Sequence, residues 1–288
     1  MSKASAADYS QGATERCERV LVTVLGNIGP WAERVCLAGG LAPRYLIAEL
    51  PPDVPPHVGS TDVDLIVSVA VATDDVGAYR TLHNNLRRGG FTQGPAEFQW
   101  RRKLDEATVL VEFLCETDAV AAGRIFKPKQ DYGSKMAALN VAGAELARRD
   151  HIEVALEAER LDDGGRSRVT VRVANLLPLV VLKIAAFQDR HANKDAYDLI
   201  FTLRNWPGGP DAAGRAAARS PVLTEEIASG ALALLGERFA DTDRDGPAAY
   251  AAFTAATGAD PDQMRQEAVA VTRRFLRGVA GGAKGAGS

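Results

Sequence analysis

Apolar and polar positions alternate in mixed periods over the first 175 residues, and in a single helical period over most of the remainder. Val20, Leu21, Val24, Leu25 and Ile28 share helical spacing, which predicts a helix over about 15–28 with Thr14 as its cap. Two short apolar runs at 34–38 and 62–70 read as buried strands. Between them come a helix near 41–49 and the stretch Pro51-Pro52-Asp53-Val54-Pro55-Pro56, which the proline rings hold extended. Val76, Tyr79, Leu82 and Leu86 mark a helix at 74–88 that Gly89-Gly90 closes. Strands near 97–103 and 108–115 are expected to pair as a hairpin around Asp105-Glu106. A helix at 134–148 follows, then strands near 151–159 and 168–174 flanking the turn Asp162-Asp163-Gly164-Gly165. From 176 to about 277 only the helical period survives, interrupted by Pro207-Gly208-Gly209-Pro210. The small polar residues 1–12 and the Gly- and Ala-rich tail 278–288 are expected to be disordered. The succession predicts an α+β protein with a mixed-sheet domain over 13–175 and a helical domain over 176–277.

Composition narrows the setting. With 46% hydrophobic and 25% charged residues the chain has ordinary globular usage, and no apolar run is long enough to span a bilayer. An odd set of three cysteines, Cys17, Cys36 and Cys115, has no metal-ligand spacing and argues for reduced core thiols in a cytoplasmic protein. The net charge of −3 gives no general affinity for nucleic acid, but its distribution is uneven. Between Arg80 and Lys135 there are ten Lys or Arg against seven Asp or Glu. The bases cluster as Arg87-Arg88, Arg101-Arg102-Lys103, and Lys127 with Lys129. Such clusters are either solvated surface or a face for RNA phosphates, and Phe98 and Trp100 beside them serve either base stacking or the core.

Candidate chemistry concentrates at Gly59-Ser60-Thr61-Asp62-Val63-Asp64. On a strand, Asp62 and Asp64 point to one face, and two neighbouring carboxylates repel unless a divalent cation lies between them. Upstream, the strand at 34–38 runs into Gly39-Gly40 and a helix start, a backbone N–H concavity suited to phosphate. Downstream, Glu112 interrupts the apolar run from Val109 to Leu114, a costly place for a carboxylate without a partner or metal. In the helical half, Lys183 lies among Val180, Val181, Leu182, Ile184, Ala185 and Ala186, and the run Lys194-Asp195-Ala196-Tyr197-Asp198 follows. Lys183 either snorkels from the core edge or reaches a buried anion. Lys194 and Asp198 could equally form a surface i,i+4 pair worth about 0.5 kcal/mol or less.

Gly39-Gly40, Gly59-Ser60-x-Asp62-x-Asp64, the later strand acid and the Lys183…Lys194-Asp195-x-x-Asp198 arrangement together resemble the AbiEii/MenT group of nucleotidyltransferase toxins, within the polymerase-β-like superfamily. The resemblance covers about residues 20–205 and departs at His57-Val58-Gly59, where many relatives carry an arginine. It implies an N-terminal mixed-sheet nucleotidyltransferase domain followed by a C-terminal helical domain. It further implies transfer of a nucleoside monophosphate from an NTP to RNA, typically a tRNA 3′ end, by a toxin that a cognate antitoxin protein restrains. Asp62, Asp64 and Glu112 would then hold Mg²⁺, and Gly39, Gly40 and Ser60 would cradle phosphates. Lys183 would offset charge on the pyrophosphate, while Lys194, Asp195 and Asp198 would bind the nucleotide or acceptor, Lys183 and the 194–198 turn facing the acids across the cleft between domains. Two other classes share the Asp-x-Asp pattern: a small-molecule nucleotidyltransferase of the aminoglycoside-modifying kind, which would want an acidic pocket, and an inactive nucleotide-binding interaction module, which would not need the acids.

Overall fold

The computed structural model describes residues 5–6, 9, 11–26, 33–68, 76–104, 107–127 and 136–285. The turn Asp105-Glu106, Lys129 and Lys135, and the element ends expected at 27–28, 69–70 and 74–75 lie outside the described residues. In chain order the first elements are α1 (Gln11–Leu25), β1 (Val35–Ala38), α2 (Ala42–Leu46), β2 (Asp62–Val67) and α3 (Val76–Arg88). Then come β3 (Thr92–Gln93), β4 (Gln99–Leu104), β5 (Ala107–Cys115), β6 (Ile125–Phe126), β7 (Ala138–Asn140), α4 (Ala144–Arg149), β8 (His151–Glu159) and β9 (Arg166–Ala174). The remainder is helical: α5 (Leu176–Arg190), α6 (Asn193–Asn205), α7 (Gly209–Ala217), α8 (Glu226–Arg238), α9 (Asp245–Thr254) and α10 (Pro261–Gly285). The protein is therefore α+β, and no helix among the described residues is long and apolar enough to cross a membrane.

The chain divides into two compact units that are not consecutive in sequence. One comprises Gln11–Leu41 and Ser60–Ala174; the other comprises Met1–Ser10, Ala42–Gly59 and Asn175–Ser288. In the first, the strands form a mixed sheet in the order β3-β4-β5-β2-β1-β9-β8, with β7 joined to β5 and carrying β6. β1 runs antiparallel to β2 and parallel to β9, and β2 runs parallel to β5. Alternate residues of β2 and β5, Val63, Leu65, Val67, Val111, Phe113 and Cys115, are at most 3% exposed, so one face of the central strands is core. Helix α4 packs on β1, β2 and β5, where the Cys36 Sγ–H reaches the Ala147 carbonyl at 3.4 Å. All three cysteines are free and buried, and burial pushes the Cys36 and Cys115 thiols up to about 12, which keeps them protonated.

Three expectations shift. Helix α1 begins at Gln11, so Thr14 is not its cap; Ala13 and Thr14 continue the buried stripe of Cys17, Val20 and Leu21 one turn further. The helix expected at 134–148 resolves into β7 and the short α4, because Met136, Ala137 and Ala138 are buried in succession and Gly143 takes φ +85° between them and the helix. Asn140 fixes this arrangement: its Oδ1 accepts from Thr117 N–H at 3.0 Å, and its Nδ2 donates to the carbonyls of Thr117 and Val120. The last helix, α10, continues through Gly285, well beyond 277. Gly278 packs instead of fraying: a Cβ there would collide with the backbone of α7 at Asp211 and Gly214, so its absence lets the two helices approach closely.

In the helical unit α6 packs against α2, α5, α7 and α9, and every residue from Lys194 to Leu203 is buried. Asn175 caps α5 by accepting from Leu176 N–H at 2.8 Å, and His191 ends it in the left-handed conformation.

Candidate functional site

The acids of the sheet unit come together through strand register. Asp62 and Asp64 stand on one face of β2, and the parallel pairing of β2 with β5 sets Glu112 directly beside Asp64. All three are half-buried. Burial first, and then the charge of Asp64, push the Glu112 carboxyl up to about 7; Asp62 adds to this and a hydrogen bond from Gln99 offsets part of it. Gln99 lies opposite Glu112 in the β4–β5 hairpin and donates to Glu112 Oε1 at 2.6 Å. Its own Oε1 accepts from Ala96 N–H at 3.1 Å, which fixes the orientation of the amide. Counting outward from a turn at 105–106 pairs Gln99 with Glu112, so the sequence held the signal for this contact.

Gly39 closes the same face. It has φ +67°, and a Cβ there would overlap the Asp64 carboxylate, so only glycine lets the backbone pass so close. Gly39–Leu41 form a 3-10 turn with Gly40 buried, followed by the five-residue α2 in place of the expected helix at 41–49. Phosphate binding here would rest on the turn's N–H groups more than on a helix dipole, which needs a longer helix. Ser60 is 6% exposed; its Oγ accepts from Asp62 N–H at 3.3 Å and its carbonyl accepts the Cys17 thiol proton at 3.4 Å.

These residues fit a divalent cation by the chemistry of the donor set: three oxygen ligands of like charge gather on one face, and Glu112 is destabilised as an anion by its neighbours. Among the described residues no group of three or more His, Cys, Asp or Glu side chains is already arranged as a metal cage. Glu112 is instead engaged with Gln99 and hydrogen-bonded to Asp64.

The basic clusters read from the sequence lie on β4 and at the end of α3. Arg101 and Lys103 are exposed on β4, Arg87 and Arg88 end α3, and Arg102 donates to the Gly90 carbonyl at 3.2 Å. Lys127 is paired with Glu97 at 2.7 Å. Trp100 is 4% exposed and packs edge-on against His83, so it belongs to the core and presents no base-stacking surface.

In the helical unit Lys183, Lys194, Asp195 and Asp198 form one buried cluster. Lys183 bonds Asp195 Oδ1 at 3.0 Å and Asp198 Oδ2 at 2.6 Å, and Lys194 bonds both oxygens of Asp198 at 2.7 and 3.0 Å. Arg190 grips Asp195 with two bonds of 2.7 Å. His57 Nε2 lies 2.9 Å from Asp198 Oδ1. The anion that Lys183 reaches within this unit is thus a pair of aspartates, and the Lys194–Asp198 pair is no surface i,i+4 contact, because Asp198 is 0% exposed. Burial works against every charge here. For Lys183 the fields of Asp198 and Asp195 outweigh it and raise the pKa; for Lys194 burial and the Lys183 charge prevail and lower it. Burial raises Asp198 and Asp195 as well, but the cations overcome it and hold both below the usual carboxylate range. His57 is pushed down to about 4 by burial, against the pull of Asp198. In the sequence His57 stands out only as a departure from a motif, because nothing in the linear chain ties position 57 to 198.

No family model, curated protein or solved structure matches the chain. The functional reading therefore rests on the residues themselves.

Proposed function

We propose that the protein is an Mg²⁺-dependent nucleotidyltransferase that moves a nucleoside monophosphate from an NTP to a hydroxyl of RNA. One observation carries the reading: Asp62, Asp64 and Glu112 share a face on neighbouring strands, with Glu112 at about 7. In the reaction the acceptor oxygen bonds to the α-phosphorus as the bond to the β-phosphate oxygen breaks, and pyrophosphate leaves. Asp62, Asp64 and Glu112 would hold Mg²⁺, which supplies charge neutralisation for the triphosphate when bound. Glu112, beside Asp64, would take the proton that the attacking hydroxyl gives up. Gly39, Gly40 and Ser60 line the turns that would cradle phosphate oxygens. The helical cluster sets Lys183, Lys194 and Arg190 against Asp195 and Asp198, a surplus of one cation. The motif resemblance, and not this contact set, assigns Lys183 to the leaving pyrophosphate. The basic clusters at 87–88 and 101–103 support an RNA acceptor over a cationic drug. The role of a cytoplasmic toxin held by an antitoxin follows from the motif resemblance alone.

Incubation with each α-labelled NTP, Mg²⁺ and total RNA tests the reading. Label should enter RNA, and Asp62→Ala or Asp64→Ala should abolish transfer in a protein that stays folded. Transfer at the wild-type rate in either variant overturns it; label entering only small molecules moves the acceptor to that class.

A further inference from the structure

His57 is 4% exposed and uses both ring nitrogens. Gly59 N–H donates to Nδ1 at 3.0 Å, and an amide N–H can only donate, so Nδ1 carries a lone pair. In the neutral ring the proton is then on Nε2, where it is donated to Asp198 at 2.9 Å. The ring cannot turn away from this arrangement: it stacks on Tyr197 at 5.2 Å and meets Phe201 edge-on at 4.9 Å. The next amide, Val58 N–H, donates to the Tyr197 hydroxyl at 3.3 Å. Two successive backbone donors in a stretch without helix or strand are thus satisfied by side chains, and Gly59 takes φ +78°. Gly59 leads directly into Ser60, whose hydroxyl accepts from Asp62 N–H.

We infer that His57 is a positioning residue: its single neutral tautomer, clamped on Asp198, fixes the Gly59 turn from which Ser60 and the acid strand begin. The inference rests on the nucleotidyltransfer reading for its functional consequence, but the turn lock stands on geometry alone. The imidazole does two separable things, and two substitutions separate them. His57→Asn keeps an acceptor where Nδ1 lies, in the i to i+2 geometry of an Asx turn, and gives up the bond to Asp198. His57→Gln can still donate toward Asp198 but leaves Gly59 N–H without its acceptor.

The test uses the full chain, reading exchange of the Gly59 amide by NMR and the kinetics of nucleotide transfer. His57→Asn should keep Gly59 exchange and the KM for NTP within about 3-fold of wild type. His57→Gln should speed Gly59 exchange by about 10-fold and raise KM by about 10-fold with kcat changed far less, the signature of weakened ground-state positioning. Equal Gly59 exchange in the two variants, or an unchanged KM in His57→Gln, overturns the inference. If His57→Gln does not fold, His57→Asn decides: retained protection of Gly59 supports the lock, and its disappearance overturns it. Separated exchange in a protein that transfers no nucleotide supports the lock and overturns only the transfer reading.

Discussion

On the sheet, three acids of one sign meet, and Glu112 rises to about 7 because burial and its neighbours oppose its charge. In the helical unit Asp195 and Asp198 are far more deeply buried, yet they fall below the usual carboxylate range because Lys183, Lys194 and Arg190 hold them. Both groups are carboxylates withdrawn from water; the difference lies in who stands beside them. An ion cluster that answers its own charges fixes a core, and removing one member strands the rest. A set of like charges stores repulsion, which an incoming cation would relieve. The comparison separates a scaffold from a candidate site, and only substitutions in the scaffold should cost stability.

Asp198→Ala should have the largest effect, destabilising the protein by about 3–5 kcal/mol, since it leaves Lys183, Lys194 and His57 buried around an empty position. Asp62→Asn should cost nothing measurable when both variants are titrated with urea; equal destabilisation by both would erase the distinction. Lys183→Met asks whether the scaffold also serves catalysis. Transfer should fall by about 10²-fold, the scale of removing one electrostatic stabiliser of a reacting group, and full activity would confine Lys183 to structure.

The two regions should also respond to pH with opposite signs. His57 is lowered to about 4 from an ordinary 6.5, so between those values the unfolded chain binds the extra proton. Its contribution, about 2–3 kcal/mol, is present above pH 6.5 and lost as pH falls toward 4. In His57→Gln that acid-side loss should disappear from pH-dependent unfolding curves. Glu112 is raised to about 7 from 4.5, so here the folded state holds the proton longer. Its contribution is full below pH 4.5 and lost as pH rises through 7. Glu112→Gln should therefore gain about 1–2 kcal/mol over wild type above pH 7, a figure reduced for the half-exposed carboxyl, and should match it near pH 4.5. A gain that runs the other way would mean that Glu112 is already compensated. The smallest effect belongs to the basic cluster at 101–103. Neutralising Arg101, Arg102 and Lys103 together should flatten the salt dependence of RNA affinity by about one unit for each phosphate no longer neutralised, with NTP binding intact.

Local sequence determined much of this. The strands expected near 97–103, 108–115, 151–159 and 168–174 became β4, β5, β8 and β9 to within about two residues, and the Asp-x-Asp spacing put two acids on one side of β2. The helical period likewise marked the C-terminal half. Tertiary structure decided what local spacing leaves open. That Glu112 stands beside Asp64 depends on the parallel register of β2 and β5, strands distant in sequence, whereas the hairpin pairing of Gln99 with Glu112 was countable. Four-residue spacing on a helix fits a surface ion pair or a core one equally well. Only the packing of α2, α5 and α9 around α6 buried Asp198 completely. Ala42–Gly59 joins the helical unit although sheet residues flank it on both sides, because which core a segment enters depends on partners far along the chain. The clamp of His57 between Asp198 and Gly59 is the sharpest case: a histidine followed by a glycine two positions later says nothing of a carboxylate at 198, and only the fold supplies it.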